Sequence, residues 1–204
     1  MSNIDITSKD KKISIMHIIS ESFRNKIHEF DAFLADKNYD YVCVTEHWFK
    51  EQELDSTNIS KYVIVSSYCR KSCKGGGALI LTKQESRADV RSLDNINAFS
   101  QDKHCEVSAA RITNLVCIIT IYRSPSGDFA IFLRVLEKVL QTLHNYSIIM
   151  CGDFNVRCDT DDRENKILND LLNSYGLKQL IHEPTRCTNC LDNIFMNFDC
   201  VFEA

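Results

Sequence analysis

The chain has 204 residues, ample for one sizeable domain and short for two. At 44% hydrophobic and 25% charged it has the composition of a globular protein. With 24 Lys and Arg against 28 Asp and Glu its formal charge is -4, which excludes a nucleic-acid coat protein held by bulk charge but not an enzyme that grips a backbone locally.

No apolar run reaches the ~18 residues of a membrane span, so no membrane partner is expected. Residues 1–12 are polar and charged, unlike a signal or transit peptide, and are expected to be a disordered leader before a single domain over 13–204. Without a secretory signal the ten cysteines are expected to be free thiols. Cys43, Cys117 and Cys151 sit in apolar runs as small hydrophobes. The pairs Cys187/Cys190 and Cys69/Cys73 do not make a clean zinc frame.

In chain order, Ile13 to Ile19 is apolar enough for a central strand. Ile27, Phe30 and Leu34 then recur at helical spacing, an amphipathic helix laid on a sheet. Tyr41 to Thr45 is a buried strand that delivers Glu46 at its end. A polar stretch with Trp48 and Phe49 reads as loop or short helix, and Tyr62 to Tyr68 as a strand. Arg70, Lys71 and Lys74 form a local positive cluster before Gly75-Gly76-Gly77, a turn into a strand over Ala78 to Thr82. Residues 83–101 are weakly patterned.

Cys105 to Ile112 and Leu115 to Ile121 are strands joined by a short hairpin connection, followed by Tyr122. Asp128 caps the clearest helix, through Phe132, Leu136 and Leu143. Ser147 to Cys151 is the next buried strand, running into Gly152-Asp153-Phe154-Asn155. The acidic loop Asp159 to Asp162 lacks the Gly and final Glu of a calcium loop and is assigned to helix capping. The helix through Leu168 and Leu172 should stop at Gly176. A short strand over Leu177 to Ile181 and a last one over Leu191 to Phe198, holding Asp192, complete the pattern. Hairpins mixed with helical crossovers predict an α/β sandwich with helices outside.

Three strands end in polar residues that could serve one site: Glu46, Tyr122 and the Asp153/Asn155 pair. On an extended chain residues two apart point the same way, so Asp153 and Asn155 are expected to face out together. Glu46 suits a hard cation such as Mg²⁺, which can be held by one carboxylate, waters and a substrate phosphate. Asp153 could take a proton or join the metal shell, while Asn155 and Tyr122 could donate to phosphate oxygens. Each residue also has an ordinary reading. An acid at a strand end is commonly a turn residue, Tyr122 an edge-of-core tyrosine, and Gly-Asp-x-Asn a turn bonding its own backbone.

Taken in order, Thr45-Glu46-His47-Trp48, Gly75-Gly76-Gly77-Ala78, Ile121-Tyr122-Arg123-Ser124-Pro125, Cys151-Gly152-Asp153-Phe154-Asn155, Pro184-Thr185-Arg186 and Leu191-Asp192-Asn193-Ile194-Phe195 resemble the endonuclease/exonuclease/phosphatase superfamily. They most resemble the apurinic-type endonuclease domain of non-LTR (LINE-type) retrotransposons, over about Ile13 to Phe198. The resemblance implies a four-layered α/β/β/α sandwich of the DNase I-like type and Mg²⁺-dependent (or Mn²⁺-dependent) nicking of DNA through its phosphate backbone. It implies Glu46 as metal ligand, Tyr122 as phosphate donor, Asp153 positioning or activating water, and Asn155 orienting the phosphate. Asp192 matches the acid that holds a catalytic histidine in that family. A nuclear location follows from the family alone.

Two departures qualify this expectation. Ile19 stands where the family's first strand ends in Asn, unless Ser20 takes that place. The family's closing Ser-Asp-His strand has no counterpart, since no histidine follows His182, so the domain is expected to lack its last strand and to be weak or inactive. Another phosphodiesterase or phosphatase of the superfamily, or a non-catalytic binding module, is the alternative.

Overall fold

The structure, a computed structural model, describes residues 2–8, 11–199 and 201–203. The chain begins with β1 (Ser2–Ser8), β2 (Lys11–Ile19), α1 (Ile27–Ala35), β3 (Tyr41–Thr45), α2 (Glu51–Leu54), β4 (Tyr62–Tyr68) and β5 (Ala78–Lys83). It continues with β6 (Arg91–Ser92), α3 (Asp94–Asn97), β7 (Glu106–Arg111), β8 (Val116–Tyr122), α4 (Phe129–Thr142) and β9 (Ser147–Asp153). Last come α5 (Arg163–Ser174), β10 (Lys178–Gln179), β11 (Asp192–Met196) and β12 (Val201–Glu203).

The strands form two sheets, ordered β12-β1-β2-β3-β5-β4 and β10-β11-β9-β8-β7-β6. Ile15, Tyr41, Cys43 and Ile80 of the first share one buried cluster with Val107, Ile119, Cys151 and Ile194 of the second, so the sheets pack face to face. The opposite face of the first sheet, with Met16, Val42, Val44, Leu79 and Leu81, packs on Phe30 and Leu34 of α1. On the second sheet α4 buries Phe132, Leu136 and Val139, and α5 buries Leu168 and Leu172. The result is the expected α/β/β/α layering.

Each sheet contains one parallel pair, β2 with β3 and β8 with β9, and each pair is bridged by a helix, α1 or α4. Parallel neighbours need such a crossover, and it brings both carboxyl ends to the same side. The helix caps follow the sequence signals. Asp128 Oδ1 accepts from Ile131 N at 2.9 Å, and Asp162 Oδ1 accepts from Asn165 N at 2.9 Å.

The two ends of the domain differ from expectation. Residues 2–8, expected to be a disordered leader, form β1, paired antiparallel along β2 from Ser2↔His17 to Ser8↔Lys11. The polar average hid an alternation, Asn3-Ile4-Asp5-Ile6-Thr7, that has the period of a strand. A strand also follows β11, although the domain is expected to lack its last strand: β12 pairs with β1 through Ile6↔Phe202.

Candidate active site

The site is built at the carboxyl ends of β3, β8 and β9 and the amino end of β11. Glu46 follows β3 with φ 59, and its backbone is held from both sides. Its N–H donates to Gly77 O at 2.9 Å, and its carbonyl accepts from Ser22 N at 3.0 Å and Ser20 Oγ at 3.0 Å. Ser20 therefore supports the Glu46 backbone and leaves its carboxylate to other partners. Ile19 lies opposite Thr45 and brings no polar group.

The Tyr122 hydroxyl donates to Glu46 Oε1, a bond joining the two sheets across the site. Tyr122 is buried, and burial, then the charges of Glu46 and Asp153, push its hydroxyl well above the ordinary phenol range. It stays a protonated donor. Behind it, Glu106 is fully buried and opposite Tyr122 in register. Glu106 Oε1 accepts from Arg70 Nε at 2.6 Å and Lys103 N at 2.8 Å, and Oε2 accepts from Gly77 N at 2.5 Å. The Arg70 guanidinium lies 5.8 Å from the Tyr122 ring centre. Sequence reading gave Arg70 and Glu106 no part here; their pairing joins positions 36 apart and has no local signal.

Asp153 ends β9, opposite Tyr122 on one side and Asp192 on the other. Both acids are 1% exposed. Burial, then the charge of Asp192, push the Asp153 carboxyl up to about 7, against the pull of Arg186 and the Asn155 N–H. Burial raises Asp192 as well, with the Thr185 hydroxyl and Arg186 opposing. Neither Asp192 oxygen has a hydrogen-bond partner in bonding geometry. Such an acid pair holds a proton or a cation between its members, because two bare carboxylates here would repel without solvent to screen them.

Arg186 supplies part of that balance. One of its terminal nitrogens donates to Asp153 Oδ2 at 3.0 Å, and Asp153, Asp192 and Glu46 hold it firmly protonated despite partial burial. The residue stands in the Pro-Thr-Arg stretch read above as part of the resemblance, without a role.

Asn155 does not stand beside Asp153 as an extended chain predicts. The strand ends at Asp153, and Asn155 takes φ 47, with its N–H donating to Asp153 Oδ1 at 3.1 Å. Its side-chain Nδ2 donates to Arg123 O at 2.6 Å. The ordinary turn reading thus describes the backbone, and the Asn155 side chain ties the ends of β8 and β9 together. Arg123 completes the tie, donating from Nη1 to Asn155 O at 3.1 Å and Glu164 Oε2 at 3.0 Å. Phe154, between the two polar residues, is fully buried edge-on to Phe195 at 5.2 Å.

The histidines lie elsewhere. His17 faces the interior and bonds Thr45 Oγ1 through Nε2 at 3.1 Å. His47 Nε2 bonds Tyr68 O at 2.9 Å and its Nδ1 accepts from Phe49 N at 3.0 Å. Burial pushes His17 down to about 3 and His47 down to about 4, so both are neutral near pH 7. No histidine hydrogen-bonds Asp192 among the described residues.

Residues 116–200, which hold Tyr122, Asp153, Asn155, Arg186 and Asp192, match the family model described as endonuclease-reverse transcriptase. No curated protein sequence matches the chain. Among solved structures it is similar to the endonuclease domain of TRAS1, a telomere-specific non-LTR retrotransposon, at 17% identity over 89% of this chain and 82% of that one, TM-score 0.64. An AP endonuclease from Archaeoglobus fulgidus aligns at 14% identity over 91% and 86%, TM-score 0.63. A mannosyl-6-phosphatase from Bacteroides thetaiotaomicron aligns at 10% identity over 90% and 85%, TM-score 0.60. In fold the chain is similar to these nuclease and phosphatase structures, and its residues 116–200 match the endonuclease-reverse transcriptase family model.

Proposed function

We propose that this chain is a DNA-nicking endonuclease domain of the retrotransposon type, dependent on Mg²⁺ (or Mn²⁺). The observation that carries the reading is the convergence of Glu46, Tyr122, Asp153, Asp192 and Arg186 on one end of the sandwich. Acids, a protonated donor and a cation meet there, with Tyr122, Asp153 and Asp192 buried.

The donor set fits a hard cation. Among the described residues no three His, Cys, Asp or Glu side chains cage an ion, and Mg²⁺ needs no such cage when waters and a substrate phosphate complete its shell. Glu46 would hold it, and the Asp192 oxygens have no hydrogen-bond partner of their own. When bound, the ion would neutralise charge growing on the phosphate oxygens.

The chain's own residues account for the rest. Tyr122 presents a hydroxyl that stays protonated and can stabilise a phosphate oxygen once it turns from Glu46. Asp153, poised at about 7, takes the proton of the attacking water. Arg186 keeps Asp153 oriented and supplies positive charge to the phosphate. Asn155 and Arg123 fix the turn that follows Asp153. With no histidine on Asp192, proton transfer falls to Asp153, and we expect these 204 residues to nick slowly, roughly 10²–10⁴-fold below a site with a full acid-base pair. A nuclear location belongs to the same proposal, because the substrate is chromosomal DNA.

The test is one of substrate class. Purified protein with Mg²⁺ is incubated with supercoiled plasmid and, separately, with a small phosphomonoester. Conversion of plasmid to relaxed circles without phosphate release is expected. Phosphate release with intact plasmid would replace this reading with that of a phosphatase. A folded protein inert on both would make it a non-catalytic member.

A further inference from the structure

The positive cluster of Arg70, Lys71 and Lys74 has so far contributed only Arg70. In the folded chain these residues line a pocket of about 840 Å³ together with Trp48, Lys50 and Glu51. The pocket adjoins the candidate active site: Glu46 lies two residues before Trp48, and Arg70 reaches from the pocket wall to the Tyr122 ring.

Trp48 is the chain's only tryptophan and is 44% exposed. Its backbone is held at φ 62, with its N–H donating to Gly76 O at 3.1 Å. The indole runs along Gly75, where an added Cβ would already lie 3.5 Å from Nε1. The Nε1 side of the indole thus lies against the Gly75 backbone, while the residue stays partly exposed in the pocket lining. The facing loop is equally fixed. Asp102 accepts from Lys71 N at 3.1 Å, Ser72 N at 2.6 Å and the Tyr68 hydroxyl at 2.6 Å.

Lys71 and Lys74 are exposed, and no salt bridge among the described residues engages them. A single exposed aromatic is unremarkable on a protein surface. An indole that shares one pocket with two lysines free of salt bridges, on a chain of net charge -4, is a specific arrangement. Base stacking on aromatic rings with cations along the backbone is how unpaired nucleic-acid strands are held. Glu51, also in the pocket lining, would repel phosphates and bias the backbone towards the lysines.

We infer that this pocket binds an unpaired stretch of the DNA strand beside the scissile phosphate, with one base stacked on Trp48 and the flanking phosphates on Lys71 and Lys74. The inference rests on the nuclease reading and extends it: the domain would favour DNA that is locally unpaired next to the cleavage point.

The lone tryptophan makes the site readable without cleavage. Intact protein in EDTA is titrated with a single-stranded dodecanucleotide, following tryptophan emission and, with a labelled strand, anisotropy. Saturable quenching of Trp48 is expected, with the blunt duplex of the same sequence and inorganic polyphosphate quenching far less. Trp48→Leu should weaken strand binding about tenfold or more. The double substitution Lys71→Ala with Lys74→Ala should keep the fold and flatten the salt dependence of binding. Strand binding that leaves tryptophan emission unchanged, or equal quenching by polyphosphate, would overturn the base-stacking inference. If plasmid nicking persists in that case, the nuclease reading stands. Absence of both DNA binding and nicking would remove the two together.

Discussion

Asp153 is the residue on which most of the site's electrostatics turn. Its folded-state carboxyl sits at about 7, against about 3.9 for an unfolded Asp. A raised carboxyl contributes stability that is full below the unfolded value and lost as pH rises through the folded one. Asp153→Asn removes that loss. Without divalent metal the variant should lie close to the parent at about pH 4 and exceed it by on the order of 4 kcal/mol at about pH 8. Denaturant unfolding across this range checks it; parallel curves would show that burial and Asp192 do not raise the group. Burial raises the Glu106 carboxyl too, but this acid is matched by Arg70 and two backbone N–H groups. Glu106→Ala strands the Arg70 charge and should cost about 3–5 kcal/mol, read as a lower denaturation midpoint.

Among the elements, the β8–β9 pair carries the site. Gly152 lies so close to β8 that an added Cβ would meet the Ile121 carbonyl oxygen at 1.9 Å. Gly152→Ala must part the strands just before Asp153, so the protein should be recovered insoluble or lose several kcal/mol of stability. Normal expression with an unchanged melting temperature would contradict this packing. The strands and helices around the site were legible because their signals are local: the runs Tyr41–Thr45 and Ile148–Cys151, and the Asp128 cap before a helical stripe. The site was legible only as strand ends. Direction failed at Asn155, where φ 47 broke the extended geometry assumed for Gly-Asp-x-Asn. Arg186 on Asp153 and Arg70 on Glu106 were illegible because each pair joins a loop residue to a distant strand end, an approach only the folded sandwich sets.

At the scale of the molecule, the sandwich is closed along β2 by β1, a strand from a segment whose composition suggested disorder. An uncovered β2 would present a row of free backbone groups. Deleting residues 1–8 should therefore promote self-association, seen as higher-order species in size-exclusion chromatography; a monodisperse, equally stable deletion would show that β1 adds little. The overall layering could be anticipated from alternating hairpins and crossovers, whereas the edge order could not, because pairing partners at a sheet edge leave no local pattern. Among the described residues no helix is long and apolar enough to cross a membrane.

The central claim is that Glu46 and Asp153 act in one metal-assisted phosphodiester-cleaving site. The most direct test compares wild type, Glu46→Gln and Asp153→Asn on supercoiled plasmid, with Mg²⁺ and with EDTA. Slow nicking by the wild type that EDTA abolishes, and a loss of about 100-fold or more in each folded variant, is the predicted result. Nicking that survives both substitutions undiminished, or that proceeds in EDTA, would contradict it.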